Sequence, residues 1–372
     1  MRECLLSVCI AAAVTYLLTA PVRKFAIASG AAPRLGGIAI FGGLCAGLLV
    51  ASHLADLSVA FGQSNEPRAL LSGTALLWLI GVLDDRFGIS TLLKLGGQMI
   101  AAGVMVMQGL TILWLPLPGV GNVALSQFQG TLLTVALIVT IIRAVDFVDG
   151  LDGLAVGMVC ISSTAFFLYA YRIWHSYGIE SAAPATLFAA ILIGVSLGFL
   201  PHNTQPARIH LGDSGSMILG AVLAAGAISI SGKIDPGTLN LYTHAQKEAM
   251  HPSVPVHIPL LMPLTVIAVP VADLMFVTVR RFWRGRSPFS EDRNHLHHLL
   301  LDVGHSYRRT LLIMYYWSAL IAFSALGYFV YSISIWLALS VAIFSVIGLV
   351  LTLSPRFTLR ARRWCTGITA GR

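Results

Sequence analysis

The 372-residue chain is 56% hydrophobic and 11% charged, with a mean hydropathy of +0.81 and a formal net charge of +8. Soluble domains carry about 25% charged residues, and a chain this apolar cannot cover itself with polar surface in water. A soluble globular protein is excluded, and the apolar excess points to a bilayer.

In chain order, about eleven apolar stretches suit spanning helices of roughly 17–25 residues. They lie near 3–20, 37–57, 69–83, 92–110, 128–145, 154–173, 184–200, 215–231, 256–279, 310–329 and 333–353. The expected fold is an all-α integral membrane protein, a polytopic helical bundle. Residues 1–354 would form one membrane domain and 355–372 a basic tail. The first span lacks a small-residue cleavage site with suitable flanks, so it is expected to be retained. Residues 111–127, which include LPLPGVGN, read as a loop or short hairpin. Cys4, Cys9, Cys45, Cys160 and Cys365 show no CxxC spacing and read as small apolar packing residues.

Basic residues follow the spans. With the N-terminus outside and the spans alternating, 19 of the 24 Lys and Arg fall on the inner side. This positive-inside asymmetry accounts for the basicity without a nucleic-acid partner. The RARR of the tail (Arg360–Arg363) suits anionic headgroups of the lipid bilayer. The expected location is a bacterial inner membrane, with the C-terminus cytoplasmic.

The same topology puts Asp84, Asp85, Asp146, Asp149, Asp152 and Asp213 on the inner side, each at the end of an apolar span, and Asp273 inside a span. Carboxylates at membrane depth are costly and are seldom incidental. Several of them cannot stay ionised together in a dry site without a cation or protons. An all-oxygen cluster favours Mg²⁺, with Mn²⁺ as a possible substitute.

Four motifs carry the chemistry. Asp84 and Asp85 are adjacent on a helix and point about 100° apart, so one can face a metal and the other a substrate. Asp146 and Asp149 share a helix face in the run DFVDGLDGL, where Gly150 and Gly153 allow close approach to the backbone. The third block runs from Asn203 through Arg208 to Asp213 and Ser214. Its GDSGS resembles the nucleophile loop of trypsin-like proteases, a reading rejected because nothing supplies that soluble β-barrel frame. Asp213 or Ser214 instead suits the N-cap of the next span, leaving backbone N–H groups to face a phosphate, or Asp213 turns toward a metal. The fourth motif is Arg293, His295, His297 and His298 in a basic inner loop. Zinc is disfavoured there because no cysteine lies nearby, and contacts to phosphate or sugar oxygens fit better. No Walker A or GxGxxG points to ATP or a dinucleotide.

Taken in order, APRLGG (Ala32–Gly37), LDDR, DGLDGLA, PAR…GDSGS and RNHLHH resemble the polyprenyl-phosphate N-acetylhexosamine-1-phosphate transferases. Over roughly residues 15–320 the chain looks most like the undecaprenyl-phosphate GlcNAc-1-phosphate branch. The HxHH form separates it from the phospho-MurNAc-pentapeptide type. The resemblance implies a cytoplasmic-face site using UDP-N-acetylhexosamine and undecaprenyl phosphate, with a homodimer as an open possibility. It implies Asp213 as the Mg²⁺ ligand, Asp84 and Asp85 as the catalytic acidic pair, and Lys94 near the lipid phosphate. It further places Asp149, Asp152 and Asn203 near the uridine end, and His295, His297 and His298 over sugar and diphosphate. The chain departs from the family where Arg143 and Asp146 stand in place of two Asn, and these two are expected to pair. A transporter with intramembrane acids, or a CDP-alcohol phosphatidyltransferase, fits the acidic pattern less well.

Overall fold

The computed structural model describes residues 1–28, 34–62, 64–117, 121–176, 178–231, 296–331 and 335–353, with the single positions 268, 271 and 275. The first half contains α1 (Arg2–Ala28), α2 (Gly36–His53), the short α3 (Val59–Gly62), α4 (Glu66–Phe87) and α5 (Thr91–Met107). A hairpin of β1 (Trp114–Leu117) and β2 (Gly121–Ala124) follows, then α6 (Gln127–Val148), α7 (Leu154–Ser176), α8 (Ala183–Asn203) and α9 (Gly212–Ser231). The last described elements are α10 (Leu296–Asp302), α11 (Tyr307–Tyr331) and α12 (Ile335–Leu353).

Nine helices among the described residues are long and apolar enough to cross a membrane, and α5, at 17 residues, is a shorter apolar helix. Every expected span except the ninth has its helix. The span near 256–279 lies outside the described residues, apart from the three single positions, and so does the tail 355–372. The segment read as loop or short hairpin is an antiparallel hairpin with Trp114 opposite Ala124.

Local signals place the helix ends. Pro67 lies in the first turn of α4, and Gly88 closes that helix at φ 67°, its N–H bonded to the Asp84 carbonyl. A capping box of Ser126 and Gln129 starts α6. Among the described residues Phe166, Tyr169, Phe188 and Phe199 are the largest fully buried side chains, Phe166 facing Gly226 of α9 and Phe199 facing Gly36 of α2.

The central helix is α9. Its spanning stretch is 94% buried, against 6% for α12, and it packs on α2, α4, α6 and α8. Close packing rests on small residues. A Cβ at Gly81 would come within 2.3 Å of Ser214 Cα, and one at Gly37 within 2.5 Å of the Gly215 nitrogen. Small residues at helix contacts are the usual device in a bilayer, where van der Waals packing rather than hydrophobicity joins helices. Exposed Leu92, Ile100 and Met107 on α5, and Trp336, Ile343 and Val350 on α12, form the kind of apolar exterior that lipid requires.

Candidate active site

The antiparallel order of the helices brings the end of α4, the start of α5, the end of α6, the α6–α7 turn and the α8–α9 connection to one end of the bundle. All the acids from Asp84 to Asp213 that the motifs single out lie there.

Lys94 on α5 is the focus. Its side chain is 10% exposed, and Nζ lies 3.2 Å from Asp84 Oδ2 and 3.4 Å from Asp146 Oδ2, and in contact with Asp213 Oδ2. Carboxylates from α4, α6 and α9 thus converge on one ammonium. The cation that a dry acidic cluster demands is, in this arrangement, a lysine of the chain itself.

The adjacent pair Asp84 and Asp85 does splay, but toward protein groups. Asp84 also accepts the Ile89 N–H at 2.7 Å. Asp85 accepts the N–H groups of Asp213 (2.8 Å) and Ser214 (3.2 Å) and the Ser214 hydroxyl (2.8 Å). The expectation that backbone N–H groups at the start of α9 face a phosphate is therefore corrected: Asp85 takes two of them. Asp213 turns its carboxylate the other way, to Lys94 and the open space beside it. Arg143 and Asp146 pair as expected, at 3.6 Å. Asp146 also accepts the Ser216 hydroxyl at 2.8 Å, so it joins α6, α5 and α9 rather than serving Arg143 alone.

Beside this network lies a cavity of about 340 Å³, lined by Arg34, Asp149, Asp152, Asn203, His210 and Asp213 among others. Desolvation first, and then the charges of Asp146, Asp152 and Asp85, push the Asp149 carboxyl well above the usual carboxylate range. Asp152 pairs with His210 at 3.3 Å and accepts the Ala207 N–H at 3.3 Å. Asn203 spends both ends of its amide on backbone, accepting from Gly153 N and donating to the Ile209 carbonyl, each at 3.0 Å. It secures the cavity wall.

Among the described residues no three His, Cys, Asp or Glu side chains form a metal-holding group. Mg²⁺ does not require such a cage, since one or two carboxylates plus substrate phosphates and water complete its octahedron. Asp213, with 37% of its side chain exposed, shares the cavity with Asp149 and Asp152. This all-oxygen donor set fits that mode of binding.

The structure thus gathers Asp84, Asp85, Lys94, Asp149, Asp152, Asn203 and Asp213. Arg208 is exposed and does not line the cavity. Arg293 and His295 lie outside the described residues. Positions 297 and 298 lie on the backbone of α10, and their side chains lie outside the described residues. Motif reading missed Arg34 and His210 on the cavity wall. Arg34 stands inside APRLGG and His210 three residues before Asp213, so both were within quoted motifs but carried no distinguishing pattern.

The family described as glycosyl transferase family 4 matches residues 68–231, which hold every acid of this site. A decaprenyl-phosphate N-acetylglucosaminephosphotransferase of Mycobacterium tuberculosis (strain ATCC 25618 / H37Rv) is 39% identical over 341 residues, covering 87% of this chain and 82% of that protein. A probable undecaprenyl-phosphate N-acetylglucosaminyl 1-phosphate transferase of Bacillus subtilis (strain 168) is 28% identical, covering 90% of this chain and 87% of its own. The undecaprenyl-phosphate alpha-N-acetylglucosaminyl 1-phosphate transferase of Escherichia coli (strain K12) is 27% identical, with 79% and 71% covered. Likeness to the mycobacterial protein over this much of both lengths, with the acidic site inside the matched region, means that the chain belongs to the polyprenyl-phosphate N-acetylglucosamine-1-phosphate transferases of glycosyl transferase family 4.

Proposed function

We propose that this protein transfers N-acetylglucosamine 1-phosphate from UDP-N-acetylglucosamine to a long-chain polyprenyl phosphate, releasing UMP, on the cytoplasmic face of the inner membrane. The product would start a cell-surface polysaccharide or wall polymer. The observation that carries the reading is the polar cavity at the ends of membrane helices, with Lys94 and its three carboxylates beside it. Such a site can meet a water-soluble nucleotide while the lipid chain of the acceptor stays in the bilayer. The relatives' names supply the sugar and the lipid class, decaprenyl in one branch and undecaprenyl in the others.

An acceptor phosphate oxygen attacks the β-phosphorus of the donor, and the bond from that phosphorus to the bridging oxygen breaks as UMP leaves. A phosphate monoester has its second pKa near 6 and is largely dianionic at neutral pH. No general base is required, and the work is positioning and charge stabilisation. Asp213 would hold Mg²⁺ or Mn²⁺, with substrate phosphate and water completing the ion's shell, and Asp149 and Asp152 line the cavity across from it. When bound, that ion neutralises charge on the diphosphate. Lys94 positions the acceptor phosphate, and Asp84 and Asp146 hold Lys94. Asp85 fixes the start of α9 and so the direction of Asp213. Arg34 and His210 are suited to donor oxygens, as are Arg293, His295, His297 and His298.

The test is an exchange assay in membranes containing polyprenyl phosphate and Mg²⁺. Labelled UMP should enter UDP-N-acetylglucosamine, and UDP-N-acetylgalactosamine should support little exchange. EDTA should abolish the exchange, and Mg²⁺ or Mn²⁺ should restore it. Absence of exchange with either sugar nucleotide would overturn the transfer reading, and full activity in EDTA would remove the metal.

A further inference from the structure

The α6–α7 turn that carries Asp149 and Asp152 is held from outside the cavity by α11, an element that no motif pointed to. Tyr307 donates its hydroxyl to the Asp152 carbonyl at 3.3 Å, and Tyr315 donates to the Gly153 carbonyl. The two tyrosines are eight positions apart, about 12 Å along a helix. Their phenols nevertheless converge on carbonyls of consecutive residues, so they hold two successive peptide groups of the turn. From the other side Asn203 accepts the Gly153 N–H, while Ala207 N–H and His210 engage the Asp152 carboxylate.

The grip has a local reason. Gly153 adopts φ 81°, a left-handed conformation that a turn must hold against alternatives. Gly157 leaves room for the clamp, since a Cβ there would meet the Tyr315 hydroxyl at 2.0 Å. Phenylalanine would fill the same space between α7 and α11. The hydroxyls add something packing does not, a fixed position for the backbone that aims Asp152 into the cavity.

We propose that Tyr307 and Tyr315 are positioning residues for the nucleotide-sugar donor, acting through the backbone carbonyls of Asp152 and Gly153 without touching substrate. The proposal rests on the transferase reading above. Preorganised side chains bind without first paying to order their own loop. Loss of one neutral hydrogen bond of about 1 kcal/mol corresponds to a donor affinity lower by about five-fold. The acceptor, which meets Lys94 on the other side of Asp213, should not sense the change.

The experiment compares Tyr307→Phe, Tyr315→Phe and the control Tyr316→Phe in the full-length protein. Tyr316 lies on the same helix, but its hydroxyl bonds to the Phe344 carbonyl of α12 at 2.6 Å, away from the turn. Wild-type exchange first establishes the transferase reading independently. Tyr307→Phe and Tyr315→Phe should each raise KM for UDP-N-acetylglucosamine and the inhibition constant of UMP by about five-fold, with KM for polyprenyl phosphate unchanged. Tyr316→Phe should change neither. Equal donor KM in all three variants, with only the melting temperature lowered in the first two, would make the hydroxyls structural and overturn the proposal. An equal rise in KM for the lipid would do the same.

Discussion

At the scale of single residues, the site is governed by how few cations serve many carboxylates. Lys94 is shared by Asp84, Asp146 and Asp213, and Arg143 adds one pairing to Asp146. The Arg143–Asp146 pair was legible because three residues apart on a helix is one face. The extra partners of Asp146 were not, because Lys94 and Ser216 belong to other helices. They change the expected outcome of mutation. Arg143→Asn leaves Asp146 with Lys94 and Ser216, so it is not stranded. Asp146→Asn deprives both Arg143 and Lys94 of a carboxylate. Asp146→Asn should therefore lower turnover by about 10- to 100-fold, in line with roughly 1.5–3 kcal/mol for a hydrogen bond to a charged group, and Arg143→Asn by less. A double-mutant cycle on turnover should show coupling of about 1 kcal/mol. Strict additivity would move Arg143 to a direct contact with the donor diphosphate.

At the scale of elements, the start of α9 decides where Asp213 points. Gly212 adopts φ 73°, and a Cβ there would sit 1.9 Å from the Arg34 carbonyl oxygen and 2.8 Å from Asp85 Oδ2. The LGG segment also docks here, with Gly36 N–H bonded to the His210 carbonyl at 3.2 Å. These glycines are thus contact surfaces between the APRLGG segment and the block that runs from Asn203 to Ser214. Gly212→Ala should disable transfer and lower the yield of folded protein, since both conformation and space oppose it. Asp85→Asn keeps one acceptor oxygen for the N–H groups of Asp213 and Ser214, whereas Asp85→Ala keeps none. If Asp85 acts as the cap of α9, melting temperature and turnover should fall further in Asp85→Ala than in Asp85→Asn, by about 0.5–2 kcal/mol in stability. Equal loss of turnover in the two variants, with stability intact, would instead assign the charge of Asp85 to the chemistry.

At the scale of the whole molecule, the bundle has a buried centre in α9 and a lipid-facing outer helix in α12. The distribution of Lys and Arg expects the ends carrying Asp84 to Asp213 to be cytoplasmic. A green fluorescent protein fused after Arg372 should fluoresce, and alkaline phosphatase fused at the same point should stay inactive. Active phosphatase there would invert the topology and place the cavity on the wrong side for a nucleotide-sugar.

The amino-acid sequence by itself determined which described segments are long apolar helices, because an apolar run of spanning length has essentially one way to satisfy its backbone in a bilayer, as a helix. It also determined that the acids stand at span ends, and that Arg143 and Asp146 can meet, since helical spacing is local. Only the tertiary structure decided that Lys94 takes three carboxylates, that Asp85 caps a helix 128 residues away, and that α11 grips the turn behind Asp152. Hydropathy cannot make those choices. Lipid tails are as apolar as the helix faces they compete with, so it is close packing and hydrogen bonding between helices that select which face meets which neighbour.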